Sequence, residues 1–259
     1  AGRLRSDSDL DVAVYQASAG YLEIEAARGL DREADIQLAL ERATGRNVDL
    51  LLLNRAPASV CAAALLSGQP LLVRDRAFYT RYFLAVTAVA SDFLETEQEY
   101  RAIRNRSRSL SAIDRSRLHR ILDFISTELQ DRDRFRGVTL DRYQGDRDLR
   151  RNLDRWVEML INAAIDTGKI VLASERRDVP YTYGQILAEP EAVERFSDLA
   201  GRLSPLAALR NLLAHEYLEL RFGRVQRFVE SGAGAVEEVA RLSRLWLHDM
   251  DRPETDESD

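Results

Sequence analysis

Hydrophobic and polar positions divide the chain into two differently patterned stretches. Over the first hundred residues, short apolar runs alternate with helical periodicities. Leu10 to Tyr15 reads as a buried strand, and Asn47 to Leu53, with four consecutive leucines, reads as a second one. Between them, Leu30 to Thr44 carries Ile36, Leu38, Leu40 and Ala43 among charged residues and stops at Gly45, which predicts a helix. Pro57 to Leu66 predicts a short helix with proline near its first turn. Gly68 to Val73 predicts a third strand, and Arg76 to about Arg106 a long helix. Three short strands with helices define a small α/β (α+β) unit.

Beyond this stretch the alternation disappears. Ile113 to Gln130 is amphipathic, with Leu118, Ile121, Leu122, Ile125 and Leu129 to one side. Asp146 to Ala173 predicts a second long helix, followed by a loop at Ser174 to Tyr183. Pro190 to Ala200, Leu203 to Leu220 and Phe222 to Leu247 predict three more helices, giving an all-α bundle of four or five. The expected organisation is an N-terminal domain over 1–108, a helical domain over 109–248 and a disordered acidic tail over 249–259.

Composition narrows the class. With 259 residues, 45% hydrophobic and 31% charged, the chain can bury a sizeable core. The net charge of −6 argues against indiscriminate nucleic-acid binding and leaves room for a local basic cleft; no DNA partner is expected. No run is apolar enough to span a bilayer, no signal peptide is visible, and Cys61 is the single cysteine, so a cytoplasmic setting is expected. Lys169 is the only lysine. Cys61, among alanines and leucines, reads as a core residue. The chain starts at Ala1 without a methionine, and residues are expected to precede it. From Arg101 to Arg120 seven arginines interleave with serines, which reads as a solvated helix face and linker in preference to an RNA-binding stripe.

Two constellations carry chemistry. The first is Ser8-Asp9-Leu10-Asp11 at the mouth of the first strand. Alternation puts Asp9 and Asp11 on one face, where a divalent cation with oxygen ligands, Mg²⁺ above all, relieves their repulsion. The same pattern also fits an acidic loop entering a strand. Asp49 opens the second strand and joins the pair if the two strands are neighbours. The second constellation is Arg210-Asn211-Leu212-Leu213-Ala214-His215-Glu216-Tyr217. Leu206, Leu209, Leu213 and Leu220 make its core stripe, while Arg210 with Tyr217, and Asn211 with His215, occupy polar stripes. A histidine can move the proton of a ribose 2′-OH or of the leaving oxygen, and an arginine can grip the phosphate. Arg210 and His215 are five residues apart, or about 140° on a regular helix, so a symmetric dimer would complete the site better than one helix. His215 taken alone also fits an ordinary hydrogen-bonded histidine.

Residues 1 to 105, through Ser8, Asp9, Asp11 and Asp49, resemble the minimal nucleotidyltransferase (MNT) family, the antitoxin half of HepT–MntA pairs. That resemblance implies two Mg²⁺ ions about 4 Å apart, ATP as substrate, and nucleotide binding at Gly2 and Ser8. The family's Gly-Ser element, counted back from Asp9, falls before Ala1. Residues 110 to 248 resemble the HepT branch of the HEPN ribonucleases: its Arg, four residues, His, one residue, Tyr pattern is matched by Arg210, His215 and Tyr217. The segment from Asn152 through Asp166 to Tyr183 resembles the HepT helix and loop that precede this motif. Together the resemblances imply AMP transfer from ATP to Tyr217, silencing an RNase site of Arg210, Asn211 and His215 in a homodimer. The alternatives are a small-molecule adenylyltransferase of the aminoglycoside type, and an inactive nucleotidyltransferase domain that only masks the HEPN face.

Overall fold

The structure, a computed structural model, describes residues 9–16, 22–26, 32–193, 196, 199–215 and 221–250. The chain divides into two compact units, Ala1–Ser91 and Asp92–Asp259.

In the first unit β1 (Leu10–Val14) and β2 (Val48–Leu52) pair in parallel, joined through α1 (Glu33–Thr44). Gly45 ends α1 in the left-handed region at φ 67°, where its N–H bonds to the Glu41 carbonyl; a residue with a Cβ is disfavoured there. α2 spans Ala58–Ser67 and α3 spans Arg76–Arg106, as the periodicity predicts. Ile24, Leu53, Cys61, Tyr82, Val86 and Val89 are among the residues of this unit's core, and the Tyr82 hydroxyl donates to the Leu53 carbonyl at 2.7 Å. Cys61 is buried, and burial pushes its thiol up to about 11, so the core reading holds and the sulfur is chemically quiet. Asn54 is fully buried and satisfied: its amide accepts from the Gln16 N–H (2.8 Å) and donates to the Gln16 carbonyl (2.9 Å) and the Glu23 carboxylate (2.8 Å). It ties the end of β1 to the segment around Ile24.

The third strand expected at Gly68–Val73 does not form: among the described residues the sheet has two strands. Pro70 removes a ladder donor, the Gly68 N–H is already bonded to Ala64, and Leu71 and Leu72 stand 86% and 75% exposed. An apolar run was misleading here because its leucines face outward.

The second unit is all-helical among its described residues. α4 (Ala112–Glu128), α7 (Arg147–Ser174) and α11 (Ala233–Met250) pack together, with short α5 (Arg132–Phe135) and α6 (Leu140–Gly145) between α4 and α7. Ser111 and Asp146 cap α4 and α7 by accepting backbone N–H bonds. The indoles of Trp156 and Trp246 donate to the Glu128 carbonyl (2.8 Å) and the Glu175 carboxylate (2.9 Å). Past Leu160 nearly every residue of α7 is buried, which puts this helix at the centre of the unit. Gly168 lets it approach α8 (Tyr183–Ala188): a Cβ there would stand 2.7 Å from the Ile186 carbonyl oxygen. Lys169, the chain's only lysine, is buried on α7, where its ammonium meets the Glu99 and Asp166 carboxylates, the latter at 2.7 Å.

The helix expected from Pro190 to Ala200 is also corrected. A 3-10 turn covers Glu189–Ala192, and α9 begins at Ala200 and runs to His215. The expected last helix is α10 (Arg221–Arg227), a π turn at Phe228–Gly232 and α11 in succession. Arg132 donates to the Val229 and Glu230 carbonyls at 2.8 and 2.6 Å, bracing the π turn from α5.

Candidate functional sites

Each unit carries one site. In the first, the parallel register sets Asp11 opposite Asp49, Leu10 opposite Val48 and Val12 opposite Leu50. Cross-strand partners project to the same face, and neighbouring strands lie about 4.8 Å apart. Asp11 and Asp49 are both exposed while Val48 and Leu52 are buried, so the acids share the open face of the sheet. Asp9, two residues upstream and exposed, is on the same side by alternation. Two exposed carboxylates at one register form an oxygen-only donor pair that fits a hard divalent cation. Among the described residues no group of three or more metal-ligating side chains is gathered, so Asp9 does not close a three-ligand cage with the pair. Gly2 and Ser8 lie outside the described residues.

In the second unit α9 carries Arg210, Asn211 and His215. Of the expected stripe, Leu206 and Leu209 are buried in the helical core and Leu213 packs half-buried against it, Leu212 outside the stripe is buried as well, and Leu220 lies outside the described residues. The Arg210 guanidinium lies over the Tyr183 ring, 4.5 Å from its centroid, and donates from Nη2 to the Asp92 carboxylate at 3.1 Å. Tyr183 is itself braced edge-on by Phe93, with centroids 5.1 Å apart. Arg210 Nε and Nη1, and both amide atoms of Asn211, are buried without a hydrogen-bond partner in the structure. Buried guanidinium and amide groups ordinarily find partners, because leaving them unmade costs about 1–3 kcal/mol each and more for a charge. This concentration of unmet polar groups on one turn of α9 marks it as a site. The His215 side chain and Tyr217 lie outside the described residues.

Sequence reasoning missed Asp92 and gave Tyr183 no site role. Asp92 is one acid among several on α3 and has no local signature. Of the seven arginines between residues 101 and 120, Arg101, Arg106 and Arg117 are ion-paired, to Glu97, Asp114 and Glu99 respectively, consistent with a solvated helix face. Among the described residues no helix is long and apolar enough to cross a membrane.

A parallel strand pair with acids at one register, and an all-helical unit with an Arg-Asn pair on its leucine-striped helix, are the two parts expected of a nucleotidyltransferase unit joined to a helical ribonuclease-type unit. Comparison with family models agrees on both. Residues 1–77 match the family described as Polymerase beta, Nucleotidyltransferase, and residues 119–242 match the family described as Ribonuclease HepT-like. The chain thus carries a nucleotidyltransferase domain followed by a HepT-like domain, the arrangement of a fused MNT–HEPN protein of the toxin–antitoxin type. No curated protein matches it.

Proposed function

We propose that the first unit transfers AMP from ATP to Tyr217 and thereby silences an RNase centred on Arg210, Asn211 and His215. The observation that carries this reading is the register that faces Asp11 with Asp49 in a polymerase-β-type domain covalently joined to a HepT-like domain. In the transfer, the Tyr217 hydroxyl oxygen bonds to the α-phosphorus of ATP, the bond to the bridging oxygen breaks, and pyrophosphate leaves. Asp49 accepts the hydroxyl proton. Asp11 and Asp49, paired across the two strands, are the residues that would hold Mg²⁺, which would supply positive charge against the triphosphate. In the unmodified state, Arg210 holds the scissile RNA phosphate, and Asn211 orients it. His215 takes the 2′-OH proton as that oxygen attacks the neighbouring phosphorus and the 5′-oxygen departs. The two motif residues converge best across a homodimer. An AMP on Tyr217 brings an anion next to this site and repels RNA.

The test is intact mass after incubation with ATP and Mg²⁺, wild type against Asp11→Asn and Asp49→Asn. The expected result is added mass in AMP units, mapped to Tyr217 and lost in both variants. RNA cleavage should need His215 and stop on modification. No added mass on initially unmodified protein, or transfer to a small antibiotic in place of Tyr217, refutes the reading.

A further inference from the structure

We propose that Asp92 is a built-in rival of RNA for Arg210, an internal anion that occupies the phosphate-gripping guanidinium and so damps the RNase. The inference rests on Arg210 being the phosphate ligand, as read above. The geometry is specific. Of the Arg210 guanidinium nitrogens, Nη2 is engaged by the Asp92 carboxylate at 3.1 Å, while Nε and Nη1 are buried and unpartnered. The guanidinium is flattened onto Tyr183, and the side chain is 13% exposed. The motif arginine is therefore stowed.

A carboxylate and a phosphodiester each offer a pair of oxygens to arginine's planar donor fork, and both seek the same donors. A phosphate sharing Nη2 would sit against the Asp92 carboxylate, which lies about 3 Å from that nitrogen and repels it. Asp92 lies on α3, outside residues 119–242 that match the HepT-like family, and 118 positions from Arg210. It belongs to the helix that enters this unit from the nucleotidyltransferase side of the chain, so the clasp is a property of the fusion's connecting helix. The Asp92 side chain is 47% exposed, and half-exposed ion pairs are weak. An RNA can open this one, which makes it a damper.

The experiment uses the full chain, confirmed free of AMP. Binding of a short all-2′-O-methyl RNA, which cannot be cleaved through its 2′-oxygen, is measured with cleavage of the matching unmodified RNA. The proteins are wild type, Asp92→Asn, Asp92→Ser, Arg210→Ala and the Asp92→Asn/Arg210→Ala double variant. Removing the carboxylate should tighten binding about fivefold, which is about 1 kcal/mol at 1.4 kcal/mol per tenfold, and should raise kcat/KM in step. The gain should vanish in the Arg210→Ala background. Unchanged or weakened binding in both Asp92 variants overturns the proposal, weakening in particular showing that Asp92 positions Arg210. An equal gain without Arg210 overturns it too, since it reports net charge alone. If Arg210→Ala binds and cleaves like wild type, the RNase reading itself fails; if Arg210→Ala is impaired while the Asp92 variants match wild type, only the damper fails.

Discussion

Lys169→Met tests how the helical unit tolerates a buried charge. The Lys169 ammonium is buried, while Glu99 and Asp166 are 48% and 36% exposed at their side chains, and Arg117 stands 3.3 and 3.7 Å from the same two carboxylates. Removing one partner of a fully buried pair costs about 3–5 kcal/mol, mostly through the charge left stranded. Here the stranded carboxylates reach water and keep Arg117, so the loss should be about 1–2 kcal/mol, or roughly 2–8 °C in Tm. Burial pushes the Glu99 carboxyl up, but the hydrogen bond and charge of Lys169, with Arg117, outweigh it and hold the group below its ordinary value. A depressed carboxylate contributes stability that is complete above its unfolded pKa and is lost as pH falls through the folded one. The gap between wild type and Lys169→Met should therefore be full at neutral pH and shrink below the ordinary glutamate value of about 4.3. Both tryptophans, Trp156 and Trp246, lie in this unit, so denaturant unfolding followed by tryptophan fluorescence reports it alone. A gap constant from pH 7 to pH 3, or one above about 4 kcal/mol, refutes the reasoning.

Other perturbations follow from the same accounting of buried groups. Asn54→Leu removes three side-chain hydrogen bonds that tie Gln16 and Glu23 together; a loss of about 2–3 kcal/mol is expected, read as faster amide exchange across β1 and β2. Arg132→Ala frees the Val229 and Glu230 carbonyls of the π turn and should cost about 1–2 kcal/mol by tryptophan fluorescence. Cys61, buried with its thiol raised to about 11, should resist thiol reagents at pH 8 in the native chain and react promptly once unfolded. Asp11→Asn should weaken Mn²⁺ binding at the sheet by at least tenfold in a paramagnetic relaxation titration, leaving helical-unit stability unchanged.

What could be read from the sequence was local. Alternation placed Asp9 and Asp11 on one face, and the break at Gly45 set the end of α1, because both depend on residues within one turn or strand. Pairing could not be read so directly: that Asp49 meets Asp11 in parallel register depended on the two apolar strands being neighbours. The Gly68–Val73 run shows the limit of hydropathy, since apolarity alone does not say whether Leu71 and Leu72 face a neighbour. At α9 the leucine stripe and the Arg-Asn pair were legible, whereas the partners of Arg210 were not. Asp92 is 118 positions away and Tyr183 closes a loop, and no periodicity connects either to the motif.

The two inhibitory devices argued for this chain differ in strength, and the difference bears on why both would exist. A half-exposed ion pair such as Asp92–Arg210 is worth up to about 1 kcal/mol, so it damps RNA binding by no more than roughly fivefold. It opens and closes without energy input and follows ionic strength. An AMP on Tyr217, two residues beyond His215 in sequence, adds a fixed phosphate that RNA cannot displace by competition. On these proposals the clasp would set how readily an unmodified chain engages RNA, while the modification would set how many chains are unmodified. Covalent fusion fixes the ratio of the two units at one to one, so shutting off the ribonuclease by changing their relative amounts is excluded. Control must then act on the state of each chain, through a covalent mark that is kept and a contact that is reversed.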